Sequence, residues 1–395
     1  MDKKTIVDLD VLNKKVLVRV DFNVPLKNGI IGDDTRIKEA LPTINYLLNK
    51  GGAVILMSHL GRPDGQVVPE FSLKPVFDRL VELMPNTKVY FANDVVGDDA
   101  KQKAKELKAG EVLLLENLRF EKGEEENDKG FCEKLAGLAD VYVNDAFGTA
   151  HRKHASTYGV AKLLPNAIGF LIDKELKMIC GNIQNPKRPF VAILGGAKIS
   201  DKLNIVNTLI ESANTIIIGG GMAFTFLKAM GKNVGNSLVD DEQLEMCTNA
   251  LNKAKEKGVQ ILLPSDVLVA GDINAKEAEY LPEIDIPKNK MGLDIGKKTI
   301  KQYTKVIRKA KTVIWNGPMG VFENPVFANG TYKVAKAVAK SHAISIVGGG
   351  DSASAIINMG FEKKITHIST GGGASLKLLE GKVLPAVDII ENRIG

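Results

Sequence analysis

Short apolar runs rich in β-branched residues alternate with longer segments along this chain, and that alternation restricts the possible folds most. The runs predict strands at 15–21, 53–58, 88–92, 111–116 and 141–144, and then at 190–194, 215–218, 260–263, 312–315, 344–348 and 365–369. The longer segments are typical of amphipathic helices; residues 240–258 carry apolar side chains three or four apart and end at a glycine. Alternating strands and helices predict parallel sheets with helices on both faces.

The predicted strands fall into two sets, which implies two sheets. A chain of 395 residues also exceeds what one ordinary core holds. Residues 170–183 predict a helix that is followed by a Pro-bounded break. We therefore expect an α/β fold of two Rossmann-like parallel-sheet domains, separated by a cleft and joined by a helix, with domains at 1–170 and 185–379 and the helix at 171–184.

Composition excludes several classes of protein. The hydrophobic content of 44% and the charged content of 25% are those of a soluble globular protein. We see no signal peptide and no run long enough to span a membrane, so a cytoplasmic location is expected. The three cysteines lie far apart, which predicts reduced thiols and neither a disulfide nor a zinc site. No basic run is interleaved with aromatic residues, so nucleic acid is not an expected partner.

The distribution of arginine is more informative than the net charge of +6. Only nine of the 53 basic residues are arginine, and six of the nine precede residue 153. The forked guanidinium group suits carboxylate and phosphate ligands. Arg19, within an apolar strand pattern, and Arg79, on a helix, are interpreted as structural. The first half therefore predicts a site for a small molecule that carries phosphate and carboxylate.

Polar or glycine-rich stretches follow nine of the predicted strands, where open α/β sheets bind ligands. Glycine-rich turns that begin helices expose N–H groups suited to phosphate. In GGAKISDK, Lys198 and Lys202 can neutralise phosphates and Asp201 can hold Mg²⁺, although a helix cap explains Asp201 equally well. Glu323 is a candidate acceptor for ribose hydroxyls. Two explanations are possible for the glycines at 349 and 350. Either a phosphate approaches the backbone closely, or a tight turn needs positive φ.

The whole motif set resembles the phosphoglycerate kinase family. The motifs run in order from about residue 5 to the C-terminus: VRVDFNVPL, DDTRI, SHLGRP, LLLENLRF, YVNDAFGTAHRKHAS, GGAKISDK, GGGMAFTFL, MGLDIG, NGPMGVFE, VGGGDS and STGGGASL.

The resemblance implies reversible Mg²⁺-dependent phosphoryl transfer between ATP and 3-phosphoglycerate, giving ADP and 1,3-bisphosphoglycerate in glycolysis and gluconeogenesis, with one substrate bound by each domain. The N-terminal domain is expected to bind 3-phosphoglycerate or 1,3-bisphosphoglycerate through Asp21, Phe22, Asn23, Arg36, His59, Leu60, Gly61, Arg62, Arg119 and Arg152. The C-terminal domain is expected to bind ATP or ADP through Lys198, Lys202, Gly220, Gly292, Glu323, Gly349, Gly350, Asp351 and Ser352. Asp351 and Asp201 are expected near Mg²⁺. The family also implies a monomer whose tail, about 380–395, packs on the N-terminal domain.

The implied mechanism is phosphoryl transfer after domain closure. The attacking carboxylate is already ionised, so no general base is expected, and catalysis consists of positioning and charge neutralisation. Arg36 and Lys198 are assigned to the transferring group, with N–H groups around Gly350 and Gly373 assisting.

Two other functions remain possible from the residues alone. A nucleotide-dependent dehydrogenase would explain GGGDSA, but the next strand ends without an acidic residue for a ribose. A metabolite-binding protein without activity would explain the arginines, but not Lys198 and Lys202. The chain also departs from the family pattern at Ser352, Lys297 and Lys377, where Thr, Pro and Glu are usual.

Overall fold

The computed structural model describes residues 2–200 and 202–393, which fold into two compact units. The first unit combines the chain up to Leu176 with the segment that begins at Val383, and the second runs from Lys177 to Lys382. The division falls within one helix, Phe170–Gln184, which confirms the helix predicted at 170–183.

The first unit is built on a parallel sheet. Its strands are β1 (Lys15–Arg19), β2 (Leu26–Lys27), β3 (Ile30–Ile31), β4 (Ala53–Met57), β5 (Val89–Phe91), β6 (Val112–Leu114), β7 (Val141–Asn144) and β8 (Asn166–Ile168). Its helices are α1 (Thr35–Asn49), α2 (Lys74–Leu83), α3 (Asp98–Glu106), α4 (Gly123–Glu126), α5 (Lys129–Ala136) and the start of α6 (Phe170–Gln184). Six strands pair in parallel in the order β5-β6-β4-β1-β7-β8, and β2 and β3 form a hairpin.

The core of this unit follows from the spacing of apolar residues. Ile37, Ala40, Ile44 and Leu47 recur every three or four residues on α1, and all four are buried in one cluster with side chains of β1 and β4. Every residue of β4 is buried, as is typical of a parallel strand that is covered on both faces.

The C-terminal segment packs within the first unit. It includes the short helix α14 (Pro385–Asp388). Lys3 Nζ donates to the carbonyl oxygens of Asp388, at 2.7 Å, and Ile390, at 2.8 Å. The backbone of Glu391 accepts from Lys4 N, and Arg393 forms an ion pair with Asp8.

The second unit is built on another parallel sheet. Its strands are β9 (Phe190–Leu194), β10 (Thr215–Ile218), β11 (Asn233–Val234), β12 (Gln260–Leu262), β13 (Val267–Ala270), β14 (Glu279–Leu281), β15 (Asp285–Ile286), β16 (Met291–Ile295), β17 (Thr312–Asn316), β18 (Ile344–Gly348) and β19 (His367–Ile368). Its helices, after the end of α6, are α7 (Leu203–Leu209), α8 (Met222–Ala229), α9 (Leu244–Glu256), α10 (Lys297–Ile307), α11 (Asn329–Lys340), α12 (Gly350–Asn358) and α13 (Gly373–Leu379).

The order of the second sheet explains where a ligand can bind. Six parallel strands lie in the order β12-β10-β9-β17-β18-β19, so the chain direction across the sheet reverses between β9 and β17. Loops that leave such neighbouring strands diverge and open a crevice at the carboxyl ends. The fold class predicted from the sequence, α/β with two parallel-sheet domains, is confirmed.

All eleven predicted strands are present in the two sheets, with ends that differ by up to two residues. The predicted strand 15–21 ends at Arg19, because Phe22 N turns away to donate to Ser58 Oγ at 2.8 Å. The sequence did not predict β8, which has only three residues, or the antiparallel sheet β14-β13-β16 of the second unit. Among the described residues, no helix has the length and apolarity needed to span a membrane.

Candidate active site

The predicted substrate-binding residues of the first unit gather at the carboxyl edge of its sheet. Asp21, Phe22 and Asn23 follow β1, the segment 59–62 follows β4, Arg119 follows β6 and Arg152 follows β7. Since the four strands are mutually parallel, their ends meet at one edge. Arg36 reaches this edge from the first turn of α1.

Hydrogen bonds among the loops fix the positions of the polar side chains. Arg36 Nη1 donates to Asp21 Oδ2 at 2.7 Å, and Asn23 Oδ1 accepts from Gly61 N at 3.0 Å. Arg119 Nη1 donates to the carbonyl oxygen of Gly61 at 2.7 Å. The side chain of Arg119 is only 6% exposed, so this guanidinium is held in place and little hydrated.

Arg19 fixes the tautomer of His59, and burial is the main reason that the ring is neutral. Arg19 Nη2 lies 3.2 Å from His59 Nδ1, and a guanidinium group can only donate, so Nδ1 must be the accepting nitrogen. The proton of the neutral ring therefore sits on Nε2. Burial, followed by the charges of Arg19 and the neighbouring arginines, holds the pKa of His59 well below 6.5. His59 is a neutral donor.

Arg19 also belongs to a buried polar network under the arginines. Arg19 Nε donates to Ser156 Oγ at 2.8 Å, and Ser156 Oγ donates to Glu124 Oε1 at 2.6 Å. Glu124 is fully buried, and burial raises its carboxyl pKa. Arg19 therefore has the structural role predicted from the sequence, as does Arg79, which pairs with Asp34 and Glu82.

The remaining predicted residues of the first unit differ in exposure. Arg62 is exposed, whereas the Arg152 side chain is 37% exposed and its Nε donates to His151 Nε2 at 3.3 Å. Phe22 and Leu60 are buried, which leaves their backbone groups for contact with a ligand.

The second unit contains a largely apolar cavity of about 440 Å³. It lies beyond the ends of β9, β10 and β17, where the sheet order reverses, and its size suits a nucleoside. Four of the residues predicted for nucleotide binding line it: Gly220, Gly292, Glu323 and Asp351.

Two of these glycines are required by the packing of the chain. A Cβ at Gly220 would lie 2.6 Å from Gly196 N, and φ at Gly220 is +66°. A Cβ at Gly292 would lie 2.0 Å from the ring of Phe224. Both positions keep neighbouring walls of the cavity close together.

The two predicted lysines lie in or just beyond the loop after β9. Lys202 Nζ donates to the carbonyl oxygen of Gly195, and the side chain lies so close that a Cβ at Gly317 would be 2.6 Å from Nζ. Lys198 is exposed. Asp201, the second predicted metal ligand, lies outside the described residues.

The structure separates the two explanations offered for the glycines before α12. Gly349 has φ +90°, and a Cβ there would lie 2.8 Å from Asn316 Nδ2, so the turn itself requires glycine. At Gly350 the backbone lies outside the positive-φ region, and no atom lies within 4 Å of an added Cβ among the described residues. Packing therefore does not explain Gly350.

The neighbours of Gly350 differ in their orientation. Asp351 is exposed at the first turn of α12 and lines the cavity. Ser352 is buried, and its Oγ accepts from Gly317 N at 2.5 Å, so the hydroxyl supports the adjacent loop. Gly373 begins α13 in the same way that Gly350 begins α12.

No group of three His, Cys, Asp or Glu side chains is placed to hold a metal in the part of the chain that the structure describes. A Mg²⁺ ion that arrives with a nucleotide needs only one or two carboxylates, because phosphates and water supply the other ligands. The exposed carboxylate of Asp351 fits that requirement.

Sequence interpretation missed several residues of both sites. Asp294 is 3% exposed in the cavity wall, accepts from Gly330 N at 2.7 Å, and has a pKa raised by burial to about 7. Glu124 and Glu125 stand in the run GEEEN directly after the Arg119 motif, and that acidic run was the available indication. Nothing in the sequence marked Phe224 or Leu238 as cavity walls.

The two remaining departures from the family pattern make local contacts. Lys297 Nζ lies 4.6 Å from the ring centroid of Tyr280. Lys377 pairs with Glu380 at 3.3 Å on the surface of the second unit.

Comparison with known proteins identifies the family. The model of the family described as phosphoglycerate kinase matches residues 6–382. A phosphoglycerate kinase from Finegoldia magna is 53% identical over 395 residues, with 100% of both chains covered. The chain belongs to the phosphoglycerate kinase family.

Other relatives agree with this assignment. A phosphoglycerate kinase from Clostridium novyi is 54% identical over 396 residues, with 100% of both chains covered. The solved structure of phosphoglycerate kinase from Coxiella burnetii has a TM-score of 0.89 at 40% identity, with 98% of both chains covered. The activity is therefore that of a phosphoglycerate kinase, and the predicted enzyme class, a phosphotransferase with a carboxyl acceptor, is confirmed.

The geometry around His59 generates a first prediction. Nitrogen-detected NMR of the imidazole should show a proton on Nε2 and none on Nδ1, and the ring should stay neutral at pH 6.5, where an ordinary imidazole is half protonated. The variant His59→Gln assigns the resonances. A doubly protonated ring at that pH, or a proton on Nδ1, would contradict the donor role.

Proposed function

We propose that the first unit binds 3-phosphoglycerate and the second unit binds MgATP or MgADP. The observation that supports this proposal is that the two units offer different binding sites. Arginines gather in the first unit, and an apolar cavity of the size of a nucleoside lies in the second. Because each class of ligand has its own parallel-sheet edge, we propose that phosphoryl transfer requires domain closure, which brings the reacting atoms within about 3–3.5 Å.

In the first unit, the guanidinium groups of Arg62, Arg119 and Arg152 bind the phosphate and His59 Nε2 donates a hydrogen bond. Asp21 and Asn23 supply acceptor oxygens for the hydroxyl group of the glycerate. Phe22, Leu60 and Gly61 take part through their backbones.

In the second unit, the apolar cavity holds the adenine ring between Gly220 and Gly292, and Glu323 accepts from the ribose hydroxyls. Lys202 and the N–H groups of residues 350–352 bind the phosphates at the start of α12, where the helix dipole favours negative charge. Asp351 supplies a carboxylate oxygen to the Mg²⁺ ion of the nucleotide, with Asp201 as the second candidate.

The reaction needs charge neutralisation and no proton transfer. The attacking carboxylate is ionised at neutral pH, so the chain has to neutralise the transferring group and exclude water. Arg36 is held beside Asp21, and Lys198 is free of the packing that constrains Lys202. We assign both to the oxygens of the transferring phosphoryl group, with N–H groups near Gly350 and Gly373 assisting. We also propose that the protein acts as a monomer in the cytoplasm.

A coupled assay with ATP, Mg²⁺ and 3-phosphoglycerate tests the function. Turnover should require all three components, because the metal offsets phosphate charge and the glycerate supplies the nucleophile. Nicotinamide reduction without the coupling enzymes would favour the dehydrogenase alternative. Undiminished turnover after complete chelation of Mg²⁺ would contradict the proposed chemistry.

Arg36 offers a sharper test of the mechanism. Arg36→Ala should lower kcat by about 10³-fold, as the loss of an arginine from a phosphoryl-transfer site does. Arg36→Lys should recover little of this loss, because an ammonium group cannot replace the planar fork. Arg79→Ala is the matched control, since Arg79 lies in the same unit and its ion pairs with described residues are those with the carboxylates of Asp34 and Glu82. A kcat within about tenfold of wild type for both Arg36 variants would reassign Arg36 to binding.

The pair Gly349 and Gly350 distinguishes a structural glycine from a functional one. Gly350→Ala should leave the melting temperature unchanged and weaken nucleotide binding or lower kcat, because the methyl group displaces phosphate from the helix N-terminus. Gly349→Ala should lower the melting temperature, because alanine is strained at positive φ. The affinity for 3-phosphoglycerate should stay at the wild-type value in both variants. Unchanged nucleotide affinity and kcat in folded Gly350→Ala would show that phosphate does not approach this residue.

A further inference from the structure

Two of the three guanidinium groups proposed to bind phosphate, those of Arg119 and Arg152, are already close to a carboxylate of the chain. Glu125 Oε1 lies 3.1 Å from Arg119 Nη2 and 4.0 Å from Arg152 Nη1. Arg119 Nη1 is engaged at the same time by the carbonyl oxygen of Gly61. A phosphate can therefore bind Nη2 of Arg119 without competition only after Glu125 has moved away.

The anchoring of the short helix that carries Glu125 explains why this side chain lies beside the arginines. Glu125 belongs to the four-residue helix α4. The residue before it in the same helix, Glu124, is fully buried and accepts hydrogen bonds from Ser156 N and Oγ. Glu124 thus anchors α4, while the side chain of Glu125 remains 45% exposed and able to turn into solvent. For Glu126, the next residue, no ion pair is found within residues 2–200 and 202–393.

The charges of the cluster favour this arrangement. Burial lowers the pKa of Arg119, and among the surrounding charges the Glu125 carboxylate opposes that shift most, while Arg152 and Arg19 reinforce it. A cluster of cations without substrate is destabilised by mutual repulsion, and one mobile carboxylate relieves it.

We propose that Glu125 is an internal counter-ion of the 3-phosphoglycerate site, which occupies Arg119 and Arg152 in the free protein and is displaced by the phosphate of the substrate. This inference rests on the proposed function of the first unit. When only a fraction of molecules has the arginines free, the apparent Kd is the intrinsic Kd divided by that fraction. Glu125 therefore weakens substrate binding and eases release of the charged product.

The test compares substitutions at neighbouring glutamates in the full chain. Glu125→Gln should lower the Kd for 3-phosphoglycerate and for inorganic phosphate by about fivefold, the size expected for releasing exposed ion pairs. Glu125→Asp keeps the charge but shortens the reach, and should give a smaller decrease. Glu126→Gln removes the same charge one residue away and should leave both constants at the wild-type values. Calorimetry measures them, with MgADP affinity as the control for the second unit.

The outcomes separate the counter-ion from its alternatives. Equal effects of Glu125→Gln and Glu126→Gln would show a general charge effect and overturn the proposal. A higher Kd in Glu125→Gln would show that Glu125 positions the arginines productively, which also overturns it. If the wild-type chain binds no 3-phosphoglycerate at all, the proposed function fails instead, while the phosphate titrations still report on Glu125.

Discussion

Parallel pairing in both six-stranded sheets is the constraint on which the rest of the structure depends. In a parallel sheet every strand ends at the same edge, so the loops that follow the strands are brought together however far apart they are in sequence. Asp21, His59, Arg119 and Arg152 are neighbours for this reason. The same rule brings the loops after β9, β10 and β17 around one cavity in the second unit.

Gathering cations at one edge has an electrostatic cost that the first unit offsets with buried acceptors. Arg36 is paired with Asp21, and Arg19 is tied through Ser156 to the buried Glu124. Burial, followed by the charges of the neighbouring arginines, lowers the pKa of His59, so the neutral ring adds a donor without adding charge. These buried contacts preorganise the cluster for an anion, so the reorganisation on binding is limited to exposed side chains such as Glu125.

Much of this arrangement was predictable from the sequence. Eleven of the twelve strands in the two six-stranded sheets were predicted, because most of them are dense apolar runs, and Arg119 and Arg152 lie at the sheet edge because they follow such runs. The antiparallel sheet β14-β13-β16 was missed, since MGLDIG is interrupted by glycine and aspartate and has no strand-like alternation. Glu125 could not be assigned, because an acidic run on a short helix is usually solvated surface. Gly349 and Gly350 look identical in sequence, and only backbone dihedrals and neighbouring atoms distinguish them.

A crystal structure with 3-phosphoglycerate and MgADP together is the most direct test of the division of substrates, because it shows which sheet edge receives which ligand. We expect the phosphate of the glycerate within hydrogen-bond distance of Arg62, Arg119 and Arg152. We expect adenine in the cavity between Gly220 and Gly292, with the nucleotide phosphates at the start of α12. Density for the glycerate in the second unit, or for the nucleotide at the arginine cluster, would contradict the division of substrates between the two sheets.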